Sequence, residues 1–115
     1  MKTIIAGSRD CEDYELVCKV IAESGFEITE VVSGCARGVD RLGERWAKEH
    51  NVPVKRFPAH WSEFGKQAGP IRNREMAWYA DALVAICFSG SIGTMDMIRV
   101  ARKQGLKLYE KHVGV

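Results

Sequence analysis

The sequence predicts an α/β fold, a Rossmann-like three-layer sandwich with a mostly parallel five-stranded sheet. Three observations carry that expectation. Short apolar or β-branched runs alternate with amphipathic helical segments along the whole chain. Glycines and hydroxyl residues gather where a strand gives way to a helix. The length, 115 residues, suits one domain over 1–115 and is short for two.

Thr3 to Ala6 is a β-branched run bounded by Gly7, a buried first strand. Tyr14, Val17, Cys18 and Ile21 follow at helical spacing, in a helix with Asp10 or Asp13 as N-cap and Gly25 as its stop. Glu30 to Ser33 supplies a second strand around Val31-Val32, and Val39, Leu42, Trp46 and Ala47 mark a second amphipathic helix ending near Asn51. Val52 to Phe57 reads as a third strand with Pro53 tolerated at its start. A long turn from Pro58 to Gly69 reads as a lid, before a third helix from about Pro70 to Ala80. Ala82 to Phe88 is the most apolar run and is expected as the central strand. A fourth helix turns Met97, Ile98 and Ala101 inward and ends at Gly105, and Leu106 to Tyr109 closes the sheet.

Composition narrows the function. An apolar content of 46% with 28% charged residues fits a self-supporting core, and a net charge of only +2 lacks the basic excess of a general nucleic-acid binder. No run reaches membrane-spanning length and no signal peptide is legible, so a cytoplasmic protein without a membrane partner is expected. Cys11, Cys18, Cys35 and Cys87 match no zinc spacing and read as reduced thiols; His50, His60 and His112 are scattered. Neither a metal site nor a cofactor is expected.

In a parallel sheet of this kind, ligands bind beyond the carboxyl ends of the strands, so the strand-to-helix turns carry the function. The first turn is Gly7-Ser8-Arg9 and the second Ser33-Gly34-Cys35-Ala36-Arg37-Gly38. The fourth is Ser89-Gly90-Ser91-Ile92-Gly93-Thr94. Glycines let backbone N–H groups approach a ligand, each following helix points its positive end at an anion, and Arg9 and Arg37 add forked donors. Phosphate loops are therefore expected at one edge of the sheet. Pro58 and Trp61 belong to the third turn, where Trp61 either stacks on a base or ribose or packs in a core or interface. Arg72 and Asn73 are expected in the first turn of the third helix. Asp40 is suited either to a ribose hydroxyl or to complementing the helix dipole.

These residues, taken in order, closely resemble the YspA-type branch of the SLOG superfamily. The matching runs are Ile4 to Asp10, Ser33 to Asp40 with Leu42-Gly43-Glu44, Phe57 to Trp61, Ala68 to Asn73 with Met76, and Ser91 to Thr94. The resemblance implies a domain that binds a nucleotide-derived ligand related to NAD or ADP-ribose, as sensor, sequestering protein or processing enzyme. It also implies a homo-oligomer, for which Trp78 and Tyr79 would offer a surface, although core packing accounts for both equally well.

The same superfamily includes the Lonely Guy phosphoribohydrolases, which cleave the N-glycosidic bond of nucleoside monophosphates. Their RKxxM segment resembles Arg72-Asn73-Arg74-Glu75-Met76, with Asn73 for the lysine. Their PGGxGTxxE segment resembles Ser89 to Met97, with Met97 where those enzymes carry a catalytic glutamate. A thioether handles no proton and stabilises no oxocarbenium ion, so the phosphate cradle is kept and the catalysis weakened. Should the chain still be a hydrolase, Arg72 would polarise the ligand, with Asp40 or Asp96 as the acid-base group. Ser89 to Gly93 also resembles a nucleophile elbow, but His112 is the only histidine downstream and the chain is short for that fold. Arg99, Arg102, Lys103 and Lys107 cluster late in the sequence and read as a solvated helix face, so nucleic acid is not the expected partner.

Overall fold

Two runs of residues buried on both sides organise the molecule: Ile4-Ile5-Ala6 and Ala82 to Cys87 bury their side chains on alternate faces of one sheet. A computed structural model describes residues 1–114; Val115, the end of the expected 1–115 domain, lies outside them. The elements are β1 (Lys2–Gly7), α1 (Tyr14–Ser24), β2 (Glu30–Ser33), α2 (Val39–Glu49), β3 (Val54–Arg56), α3 (Trp61–Phe64), a 3₁₀ turn (Gly65–Gln67), α4 (Ala68–Tyr79), β4 (Ala82–Phe88), α5 (Ile92–Gln104) and β5 (Lys107–Val113). The five strands run parallel in the order β3-β2-β1-β4-β5.

Alternation along the strands builds two cores. Ile5, Val31, Val84 and Ile86 face α1 and α2, where Val17, Val20, Ile21, Val39 and Ala47 complete one layer. Ile4, Val32, Leu83 and Ala85 face α4 and α5, meeting Met76, Ala77, Met97, Ile98 and Ala101. This is the expected Rossmann-like three-layer α/β sandwich, with every strand pair parallel. Among the described residues, no helix is long and apolar enough to cross a membrane.

Several boundaries differ from expectation for identifiable reasons. β1, not β4, is the middle strand; β4 lies beside it and is equally dry, because helices cover both faces of each. Asp13 rather than Asp10 caps α1, accepting the Leu16 N–H at 3.0 Å, and Gly25 ends the helix in the left-handed region at φ 70°. The long third turn is largely helical: α3 and the 3₁₀ turn stand where a loop was expected. α4 accordingly starts at Ala68 and places Arg72 and Asn73 beyond its first turn. β5 runs on through Glu110, Lys111 and His112, since an edge strand exposes one side to water and tolerates polar residues there.

Candidate functional site

The chain leaves β1 toward β2 and β3 on one side, then crosses back to β4 and β5 on the other. The turns after β1 and β4 therefore diverge and leave a crevice at the carboxyl edge. A half-open cleft of about 350 Å³ fills it. Its walls are the first turn, from Gly7 to Asp10, and the fourth turn, from Ser89 to Thr94. Met76 and Met97 line it from α4 and α5, and the buried Asp40 and Asn73 with the half-buried Arg72 supply its polar side.

The first two turns are packed against one another. Gly38 has φ 78°, and a Cβ there would collide with the carbonyl of Ser8, which also accepts the Val39 N–H at 3.1 Å. This contact brings the start of α2 under the first turn. The fourth turn is more open: Ser91 makes no side-chain cap at the start of α5, and Ile92, Gly93 and Thr94 of its first turn line the cleft.

Arg72 and Asp40 dominate the electrostatics. Arg72 donates through Nη1 to the Gly34 carbonyl and through Nε to Asn73 Oδ1 at 3.1 Å. Burial draws its pKa down, and the neighbouring Asp40 carboxylate partly opposes that. Asp40, 5% exposed, accepts the Ala36 N–H at 3.3 Å. Burial raises its pKa to about 6, against the pull of Arg72 and of the Ala36 and Gly7 backbone. Asn73 donates to Asp96 Oδ2 at 2.9 Å and to the Gly93 carbonyl at 3.4 Å, tying α4 to the first turn of α5.

Not all of the predicted site residues meet in this cleft. Gly7, Ser8, Arg9, Ala36, Arg37, Asp40, Arg72 and Asn73 line it, together with Ser89, Gly90, Ser91, Gly93 and Thr94. Gly34, Cys35, Pro58 and Trp61 line an adjoining groove of about 530 Å³, joined to the cleft through Arg9, Ala36, Arg37 and Arg72. The Arg9 guanidinium lies over the half-exposed Trp61, 5.9 Å from the ring centroid.

Two expectations need correction. Ser33 is fully buried: its hydroxyl donates to Glu44 at 2.6 Å and accepts the Cys35 N–H, so it shapes the turn and offers nothing to a ligand. Asp96 does not line the cleft, and its oxygens are taken by Asn73 and Arg99. Burial pushes its carboxyl pKa up, but those two donors outweigh the effect and hold it below the usual range. It is a poor acid-base group in this setting. The chain also brings Asp10, Ile92 and Met76 to the cleft. Met76 was legible in principle, one helical turn beyond Arg72. Among the described residues, no group of His, Cys, Asp and Glu is placed to hold a metal ion, and the four cysteines are free.

Comparison with known proteins gives three matches. Residues 1–64 match the family described as "YspA, cpYpsA-related SLOG family". The Gene 61 protein of Mycobacterium phage D29 is 35% identical, the match covering 91% of each chain. The X-ray structure of DNA processing protein A (DprA) from Streptococcus pneumoniae superposes with a TM-score of 0.58 at 19% identity. That superposition covers 96% of this chain but 58% of the other, and it shows a shared fold.

Proposed function

The chain belongs to the YspA, cpYpsA-related SLOG family, and on that premise we propose that its cleft binds a nucleotide-derived ligand related to ADP-ribose or NAD, as a sensor or sequestering protein. Family membership supports a nucleotide-related function in general. The observation that carries the finer reading is the seat of Arg72: a guanidinium drawn into the cleft, with Arg9 and Arg37 nearby and the start of α5 opposite. Such a site suits phosphates, because forked donors and helix N-termini both favour anionic oxygens. The adjoining groove with Trp61 gives a base or second ribose a place to lie.

A second reading, cleavage of an N-glycosidic bond, rests on Asp40, whose pKa of about 6 is in the range useful for general acid-base work. Against it, Met97 is 1% exposed at the cleft where the related hydrolases carry glutamate, and Asp96 is engaged elsewhere. Calorimetric titration with AMP, NAD and ADP-ribose, followed by mass spectrometry of the recovered ligand, separates the two. Intact ligand supports the binder, and released base or ribose phosphate supports the hydrolase. Met97→Glu adds a direct check: it creates hydrolysis only where the related catalytic geometry is otherwise intact. A homo-oligomer built on Trp78, which is 79% exposed, belongs to the same proposal and is tested by light scattering. Its neighbour Tyr79 is engaged internally, donating to Glu30.

A further inference from the structure

The molecule carries a row of cations that leads away from the cleft. Arg37 stands at its mouth, and Arg41, Arg45 and Lys48 follow on α2 at i, i+4 and i+7, all exposed. Steps of this size put successive charges about 4.5 to 6 Å apart along the helix axis, of the same order as the step between phosphates of an extended single strand. The surface is continuous. The groove holding Trp61 shares Arg9, Arg37 and Arg72 with the cleft, and it shares Arg41 with a further groove lined by Arg45, Lys48 and Arg56.

The carboxylates along this path do not cancel it. Glu44 is nearly buried and serves Ser33, Arg41 and Arg56 at once, while Asp10 lies 3.7 Å from Arg37 in water. Glu49 offsets Arg45 alone, and no carboxylate is paired with Lys48 among the described residues. Pairs this exposed are weak and leave the cations open to a stronger anion. The linings of the three joined grooves together hold seven Lys and Arg against three Asp and Glu, a local surplus in a chain whose net charge is +2.

We propose that this face takes a short single strand of nucleic acid, with a terminal nucleotide in the cleft, a base stacked at Trp61 and the phosphates running along Arg37, Arg41, Arg45 and Lys48. The proposal rests on the nucleotide reading of the cleft and names its substrate class. Contacts are to the backbone, so recognition is independent of sequence and steeply salt-dependent.

The test uses fluorescein-labelled oligothymidylates of three and of twelve nucleotides, followed by anisotropy at about 0.05 M and about 0.3 M salt, beside ADP-ribose calorimetry. The longer strand is expected to bind more tightly than the shorter. The double variant Arg45→Gln/Lys48→Gln, outside both the cleft and the Trp61 groove, is expected to weaken the long strand about tenfold and to flatten its log–log salt slope by about 1.4, with ADP-ribose binding unchanged. ADP-ribose binding without strand binding, or strand binding untouched by the double variant or by salt, overturns the path and leaves the cleft reading standing. Salt-dependent strand binding that the double variant weakens, with no binding of ADP-ribose, supports the path and removes ADP-ribose as the cleft's ligand. Absence of binding by both probes overturns both readings.

Discussion

Arg72 and Asp40 close on a single point above Gly34: a Cβ placed on that glycine would lie 2.8 Å from Nη1 of the arginine and 2.8 Å from Oδ2 of the aspartate. The second turn is therefore a floor on which the half-buried cation and the buried carboxyl meet. Arg72 reaches it from α4 on one face of the sheet and Asp40 from α2 on the other. Opposite layers of the fold are joined at the site.

The Gly34 contact predicts that Gly34→Ala acts on both stability and affinity. The added methyl must push the guanidinium off the Gly34 carbonyl or displace the Asp40 carboxyl, and overpacking of this kind costs about 1 to 3 kcal/mol. Urea unfolding is expected to show that loss, and ligand affinity is expected to fall with it. Wild-type values for both would mean that Arg72 is held by something other than this seat.

The raised pKa of Asp40 predicts a pH dependence with a definite sign. Its folded value of about 6 lies above the ordinary carboxyl value of 3.8, so between the two the folded state binds the extra proton. Stability from this group is full below the lower value, falls as pH rises toward 6, and is flat above it; the drop is of order 3 kcal/mol. Asp96 and Glu49, with lowered pKa values, act the other way and lose their contribution as pH falls below the ordinary carboxyl range. The difference between wild type and Asp40→Asn isolates the Asp40 part. Unfolding curves from pH 4 to 7 that run parallel for the two proteins would contradict it. A phosphate entering beside Asp40 also disfavours its ionisation, so ligand binding near pH 6.5 is expected to take up protons, measurable by calorimetry in two buffers.

Arg37→Ala is expected to weaken ligand binding by about 1.5 kcal/mol, roughly tenfold in Kd. Its side chain is 77% exposed and only loosely paired with Asp10, so folding should be little affected. Unchanged affinity in calorimetry would remove Arg37 from the anion site.

Asp13→Ala is expected to cost about 1 kcal/mol of folding stability by releasing the Leu16 N–H, with no effect at the cleft. Thermal unfolding reads the first effect and ligand titration the second.

Much of this was legible in the chain because buried parallel strands advertise themselves. The limits of β2 and β4 follow from unbroken apolar runs, and Gly25 and Gly105 end their helices in the left-handed conformation expected of such stops. The turns were legible because Arg9, Arg37 and their glycines are unusual in combination. What escaped depended on contacts between distant residues. Gly69 sits inside α4, where a glycine normally argues against helix, because the Trp61 ring lies over it, 3.2 Å from a Cβ built there. The sequence marks Ser33 as a ligand donor, but Glu44 on the following helix holds its hydroxyl, a contact that only the folded chain makes. The cation row on α2 is interleaved with Glu44 and Glu49, and only the folded chain turns Glu44 inward while leaving Arg41, Arg45 and Lys48 outside.

The central claim, that the cleft around Arg72 holds a nucleotide-derived ligand without turning it over, is tested most directly by titrating the protein with ADP-ribose in a calorimeter, together with Arg72→Ala, and weighing the recovered ligand by mass spectrometry. The expected result is saturable binding, ligand recovered intact, and affinity lowered at least about tenfold in the variant. Absence of saturable binding, binding indifferent to Arg72, or recovery of ribose phosphate in place of ADP-ribose would contradict it.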